Sequence, residues 1–210
     1  IEQSLRFDDG RGTYLSRTPS VASNRKTWTW SGWVKRGNLG TGFNQPLFYG
    51  NSGTYEDVIR FRADDTLEIG YYTSSWQWDL RTTALFRDSS AWYHIIVASD
   101  TTQATASNRI KVYVNGVQVT AFTTETYPSL NAEGDINSTA LHIIGNYQTS
   151  YLDGYMGEVN FIDGQALTPD SFGETGTYGE WKPIAYDGTY GTNGFYLPFE
   201  QDYSVEGFST

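Results

Sequence analysis

The sequence predicts an all-β domain in which two antiparallel sheets pack face to face. Three observations lead there. Apolar residues recur with a period of two rather than 3.6 along most of the chain. Asn115-Gly116 lies between two alternating runs, the arrangement a type I′ hairpin turn prefers. The composition, with 18% charged residues, 22 Gly, 7 Trp, 16 Tyr and 11 Phe, suits strands joined by tight turns better than helices rich in Glu, Lys and Ala. The aromatic residues make up for a modest hydrophobic fraction of 38%, because each buries a large area. At 210 residues the chain fits one domain, since sandwiches and barrels often run to about 200–250 residues.

Strands are expected first at Ser4 to Phe7, Thr27 to Lys35 and Pro46 to Tyr49. A hairpin follows, Val58 to Arg62 and Leu67 to Tyr71 around Ala63-Asp64-Asp65-Thr66, with Ile59, Phe61, Leu67 and Ile69 inward and Arg60, Arg62 and Glu68 outward. Trp76 to Arg81 is the next strand. Trp92 to Ser99 is nearly apolar on both faces, which places it centrally in a sheet with its back covered. The run from Ile110 to Val119 is the Asn-Gly hairpin, and Leu141 to Ile144 and Tyr155 to Ile162 are further strands. Leu167 to Gly173 reads as a single helical turn, capped by Thr168, with Pro169 in the first position and Gly173 as the stop. Glu174 to Gly194 loses periodicity and reads as a long ordered loop leading into a closing strand, Phe195 to Phe199. The domain is therefore expected to span residues 1–199, with 200–210 as a tail toward a partner or a further domain. The start at Ile1 suggests a processed protein or a piece of a longer one.

The balance of 14 Lys and Arg against 24 Asp and Glu gives a formal charge of −10, so a phosphate backbone would be repelled and nucleic acid is a poor partner. The absence of cysteine rules out disulfides and Cys-based zinc sites. No apolar run approaches the roughly 20 residues of a membrane-spanning helix, and membrane insertion is not expected.

Four motifs together, Trp28-Thr29-Trp30-Ser31-Gly32-Trp33-Val34, Trp92-Tyr93-His94-Ile95-Ile96-Val97, Val112-Tyr113-Val114-Asn115-Gly116 and Leu152-Asp153-Gly154-Tyr155-Met156-Gly157-Glu158-Val159-Asn160-Phe161, resemble the concanavalin A-like, laminin-G-like jelly-roll family. The resemblance covers about Ser4 to Phe172. It implies a two-sheet sandwich with one short helical turn. The segments 100–109, 160–169 and 190–197 are similar to those of structural proteins from marine tailed phages, which implies a virion surface module in a fibre or decoration protein. Partners would then be other virion proteins or copies of the chain itself.

Catalysis is not expected. Glycosidases on this jelly roll carry carboxylates at alternate positions of one strand, and no such run occurs; Glu133-Gly134-Asp135 falls at a turn. His94 and His142 each sit in an apolar strand without a neighbouring His or Cys and read as packed, hydrogen-bonded core residues. The glycines between Gly37 and Gly42 precede no helix and are not a phosphate cradle. Some relatives bind calcium between loops, and Asp57 and Asp153, with Asn146, are the candidate ligands; no other cofactor is implied. Sugar rings stack on exposed aromatic faces while polar neighbours fix the hydroxyls. Tyr72, Trp76, Trp78, Asn146, Tyr147 and Tyr151 have that mixture, although Trp76 and Trp78 share one face of a strand and half of the set is expected in the core. Two functions follow: a virion surface module that adheres to cell-surface polysaccharide, or a carbohydrate-binding module of a secreted, extracellular protein.

Overall fold

The computed structural model describes residues 1–40, 42–53 and 55–200; the expected tail, apart from Glu200, lies outside the described residues. In chain order the strands are β1 (Leu5–Phe7), β2 (Leu15–Arg17), β3 (Thr27–Arg36), β4 (Gln45–Asn51), β5 (Glu56–Phe61), β6 (Thr66–Tyr72), β7 (Trp76–Leu85), β8 (Tyr93–Asp100) and β9 (Ile110–Val114). They continue with β10 (Val117–Gln118), β11 (Phe122–Thr126), β12 (Leu141–Ile144), β13 (Asn146–Tyr147), β14 (Ser150–Tyr151), β15 (Gly154–Asp163), β16 (Gly173–Thr175), β17 (Trp181–Pro183) and β18 (Phe195–Leu197). One sheet runs β1-β15-β3-β8-β9-β10, with β18 also on β15, and the second runs β11-β7-β6-β5-β4-β12-β2. All these pairings are antiparallel.

The period-two pattern puts alternate residues of both sheets into one core. Trp30, Ile95, Val97, Val112, Met156 and Phe161 come from the first sheet, and Phe48, Ile59, Phe61, Leu67, Ile69 and Leu80 from the second. The four residues expected to point inward from the β5–β6 hairpin are all in this core. A buried ion pair ties the layers: the Arg36 guanidinium of β3 reaches Asp65 in the β5–β6 turn at 3.0 Å and Gln45 of β4 at 3.1 Å. It lies 4.7 Å over the Phe61 ring. Removing one partner of such a pair leaves an uncompensated buried charge, at a cost of about 3–5 kcal/mol.

The central position of β8, between β3 and β9, agrees with its apolar sequence. Ile95 and Val97 face the core, while Ile96 and Ala98 pack with Ile162 and Phe172 and are backed by Tyr186 and Tyr190. The outer face of the first sheet is thus roofed by the chain after β15. His94 belongs to that roof. Trp181 Nε1 donates to its Nδ1 at 2.8 Å, which leaves the hydrogen on Nε2 to donate to Ser31 Oγ at 2.8 Å. Burial pushes its pKa down to about 3, so the ring is neutral. His142 is likewise satisfied by the Asn137 amide at 2.9 Å and the Ala140 carbonyl at 2.8 Å.

The expected loop over 174–194 differs from the structure, because β16 and β17 form a hairpin whose Trp181 carries the contact to His94. Three-residue strands show no periodicity, and the same holds for β2, β13 and β14, which the sequence pattern also missed. The helical turn is a 3-10 turn over Pro169–Ser171 with Thr168 in the capping position, although its side chain makes no cap bond. Asn115 and Gly116 have φ of 49° and 81°, as a type I′ turn requires. A Cβ on Gly116 would also lie 2.8 Å from the Trp181 ring, so glycine is fixed there twice over.

Asp57 of β5 points into the sandwich, where its carboxylate accepts from the Ile136 amide at 3.0 Å. Burial, with the Asp135 charge adding to it, raises its pKa from 3.8 to about 7 against the opposing pull of that amide. The folded protein therefore holds a proton that the unfolded chain releases, and this contribution to stability, present at low pH, is lost as pH rises through about 7. Asp57→Asn stays neutral throughout. Its stability relative to the parent, measured by urea unfolding, should rise steadily between about pH 4 and 7 and level off above; a pH-independent difference would contradict the buried acid.

Candidate functional site

Strand register decides what the outer face of the second sheet carries. Across β5, β6 and β7 three rows lie side by side: Arg60-Glu68-Arg81, Val58-Gly70-Asp79 and Glu56-Tyr72-Trp76. In the first row Glu68 is fully buried although it points away from the core, because guanidinium groups cover it. Arg60 contacts its carboxylate, and Arg62 and Arg81 each reach it at 2.8 Å. Every one of these arginines has a second carboxylate: Glu56 at 3.8 Å from Arg60, Asp64 at 3.5 Å from Arg62 and Asp79 at 2.6 Å from Arg81. Three positive and four negative groups thus form one alternating network. The expectation that Arg60 and Glu68 point outward holds for direction, but both are buried by this pairing.

Above the network the aromatics assemble. Gly70 leaves room for Trp76, whose indole lies 2.6 Å from where a Cβ would stand. Tyr72 meets Trp76 edge to face at 5.3 Å, and the Arg81 guanidinium lies 5.6 Å over the indole. On the other side the β13–β14 ribbon folds against β4 and forms a wall. Tyr147 packs edge-on against Tyr49 at 4.8 Å, lies 5.8 Å from the Arg60 guanidinium and sends its hydroxyl to Glu56. Burial raises the pKa of Glu56, helped by the Glu68 charge and opposed by Arg60. Asp79 is raised by the same two causes, against Arg81. Perturbed carboxylates gathered with aromatics on one face mark it as the candidate site.

The structure divides the six aromatic and amide candidates. Tyr72 and Trp76 stand together on the open face, half-buried. Tyr147 sits at its wall, largely buried, with its ring edge against Tyr49. Trp78 is a core residue, packed on Tyr71 at 4.8 Å. The reason is a bulge: register shifts between Tyr71 and Tyr72, so Trp76 and Trp78 face opposite ways instead of sharing a face. Asn146 is buried and spends its amide on the Gln148 and Ser150 carbonyls, holding its own ribbon. Tyr151 turns toward Gly12 instead. The calcium candidates do not form a ligand set, since Asp57 lies among Ile136, Asp135 and Arg25 whereas Asp153 pairs with Arg6 at 2.6 Å near Asp8 and Asp9. Among the described residues no three His, Cys, Asp or Glu side chains gather to hold a metal.

Sequence reasoning missed Glu56, Glu68, Asp79 and the three arginines as one unit. Their signal, opposite charges on alternate residues of neighbouring strands, becomes visible only when the pairing is known. Two other concavities are less suited to sugars. A cleft of about 270 Å³ at the sandwich edge is lined mainly by Leu15, Phe48, Ile144, Phe195 and Leu197 and offers few groups to hydroxyls. One of about 210 Å³ on the first sheet has Tyr113 as its single aromatic, and its Asp100 carboxylate is occupied by Thr102 and Gln103.

The two-layered antiparallel sandwich agrees with the family comparison. The chain belongs to the concanavalin A-like lectin/glucanases superfamily, whose model matches residues 9–171. No curated protein matches it. Among solved structures it is similar to domain 4 of AbnA, an extracellular arabinanase from Geobacillus stearothermophilus, at 19% identity over 80% of this chain and 84% of that one, with a TM-score of 0.53. It is also similar to a heptameric SAP-like pentraxin from Limulus polyphemus, at 16% identity over 79% and 77% of the two chains, with a TM-score of 0.51.

Proposed function

We propose that this domain is a non-catalytic carbohydrate-binding module that holds a glycan on the outer face of its second sheet. The observation that carries the reading is the pairing of Trp76 and Tyr72 at 5.3 Å directly beside the Arg81, Asp79 and Glu56 side chains. The indole and phenol give apolar ring surface, and the charged groups give fixed donors and acceptors for hydroxyls. Strands lie about 4.8 Å apart, so the row from Glu56 to Trp76 spans roughly 10 Å, the width of a short oligosaccharide segment. Support from the same fold comes from the arabinanase domain, whose structure is a complex with arabinotriose.

Several groups argue for binding without bond cleavage. A retaining glycosidase needs one carboxylic acid and one nucleophile free to act about 5 Å apart. Here Glu68 is held by three guanidinium groups, Asp79 by Arg81, and Glu56 by Arg60 and the Tyr147 hydroxyl. The setting we propose is the surface of a phage particle, supported by the likeness of segments 100–109, 160–169 and 190–197 to virion proteins. Mass spectrometry of purified particles should then find the chain; its absence there would remove that setting and leave the secreted module.

Trp76→Ala should weaken binding to a neutral polysaccharide by about tenfold or more, read by affinity electrophoresis, while the melting temperature moves little because the indole is outside the core. An unchanged mobility shift in this variant would count against the face.

A further inference from the structure

We infer that the face selects uncharged glycans and rejects those bearing carboxylate or sulfate groups. This deepens the glycan-binding reading and rests on it. Arginine in a binding face ordinarily recruits anions, because its planar fork matches a carboxylate or sulfate. On this face that capacity is already used. Arg60, Arg62 and Arg81 share the buried Glu68 carboxylate, and each has a second carboxylate of its own in Glu56, Asp64 or Asp79. An anionic sugar can reach a guanidinium only by displacing one of these internal partners. The network has four negative groups against three positive ones, and the whole chain carries −10, so the approach is also repelled.

The remaining polar capacity suits hydroxyls. Two of the arginine side chains are partly open, 25% exposed for Arg81 and 27% for Arg62, whereas Arg60 is buried; Glu56 is 23% exposed. A hydroxyl can add a bond to the outer N–H of a paired guanidinium, or to the outer lone pair of a paired carboxylate, without breaking the pair. Thr124 stands opposite Arg81 and Thr126 opposite Asp79, so the next strand adds neutral groups at these two positions, while its Glu125 falls opposite the core residue Leu80. The face is therefore built as a neutral patch from charged parts, with Asp79 and Glu56 as the residues that set its selectivity.

The test uses the full chain and three neutral polysaccharides, a β-glucan, an arabinan and a galactan, each paired with its own carboxymethyl derivative. Affinity electrophoresis and calorimetry are run near pH 7.5 in moderate salt. At least one neutral member should bind, with its carboxymethyl partner at least about tenfold weaker. Asp79→Asn leaves an amide oxygen for Arg81 but removes the charge, and should narrow that ratio several-fold, with the gain for the anionic member shrinking as salt is raised. Glu56→Gln makes the same test at the other end of the network if Asp79→Asn does not fold. A parent protein that binds the carboxymethyl member as well as the neutral one through Trp76 overturns the selectivity and leaves the glycan face standing. A ratio unmoved in the folded variants overturns it as well. Binding to no member of any pair overturns the glycan reading, and the selectivity with it.

Discussion

One carboxylate sets the terms for the second sheet. Glu68 points away from the sandwich core yet is fully enclosed, and an enclosed carboxylate without partners costs several kcal/mol. Its cross-strand neighbours on both sides are arginines, Arg60 and Arg81, and Arg62 supplies a third guanidinium. This arrangement fixes the register of β5, β6 and β7, because a slip of one residue would turn the charged row into the core and the Ile59-Ile69-Leu80 row out to solvent. The same arginines carry the aromatics: Arg81 lies over Trp76, and Arg60 lies beside Tyr147. Removing Glu68 would thus disturb the charge balance, the strand alignment and the seating of both rings.

The two outer faces have opposite fates. On the first sheet, the chain after β15 returns as a cover, with Phe172 and Tyr186 over Ile96 and Trp181 bonded to His94. Among the described residues the second sheet shows no comparable cover over β6 and β7, and the β13–β14 ribbon lies against β4 as a wall. The proposed binding face lies where the network, rather than more chain, shields the sheet. Hydrophobic packing makes the sandwich, and the buried charges keep the outer face of the second sheet polar.

Much of the fold was legible in the sequence because two periods rarely mislead over strands of six residues or more. Ile59, Phe61, Leu67 and Ile69 fell inward as the alternation required, and Asn115-Gly116 turned as its dihedral preferences demand. The short strands β2, β13, β14, β16 and β17 define no period and were not legible, and neither was β11 (Phe122–Thr126), whose run Phe-Thr-Thr-Glu-Thr has a single apolar residue. The site was readable only in part. Tyr72 and Trp76 do stand together on the open face, but one bulge after Tyr71 separates Trp76 from Trp78, and a bulge is a property of the pairing rather than of the run itself. Arg60 and Glu68 read as solvent-facing charges; their burial follows from cross-strand pairing, which the runs themselves do not display.

The central claim, that this face is where the domain meets its ligand, is tested most directly by following amide and indole N–H signals by NMR while a neutral oligosaccharide is titrated in. The account predicts that the Trp76 indole and the amides of Tyr72, Gln77 and Arg81 shift together with one saturating curve, while the indoles of Trp30 and Trp181 stay in place. Shifts centred on Leu15, Ile144 and Phe195 at the sandwich edge, or on Tyr113 and Lys111 of the first sheet, with Trp76 unmoved, would contradict it.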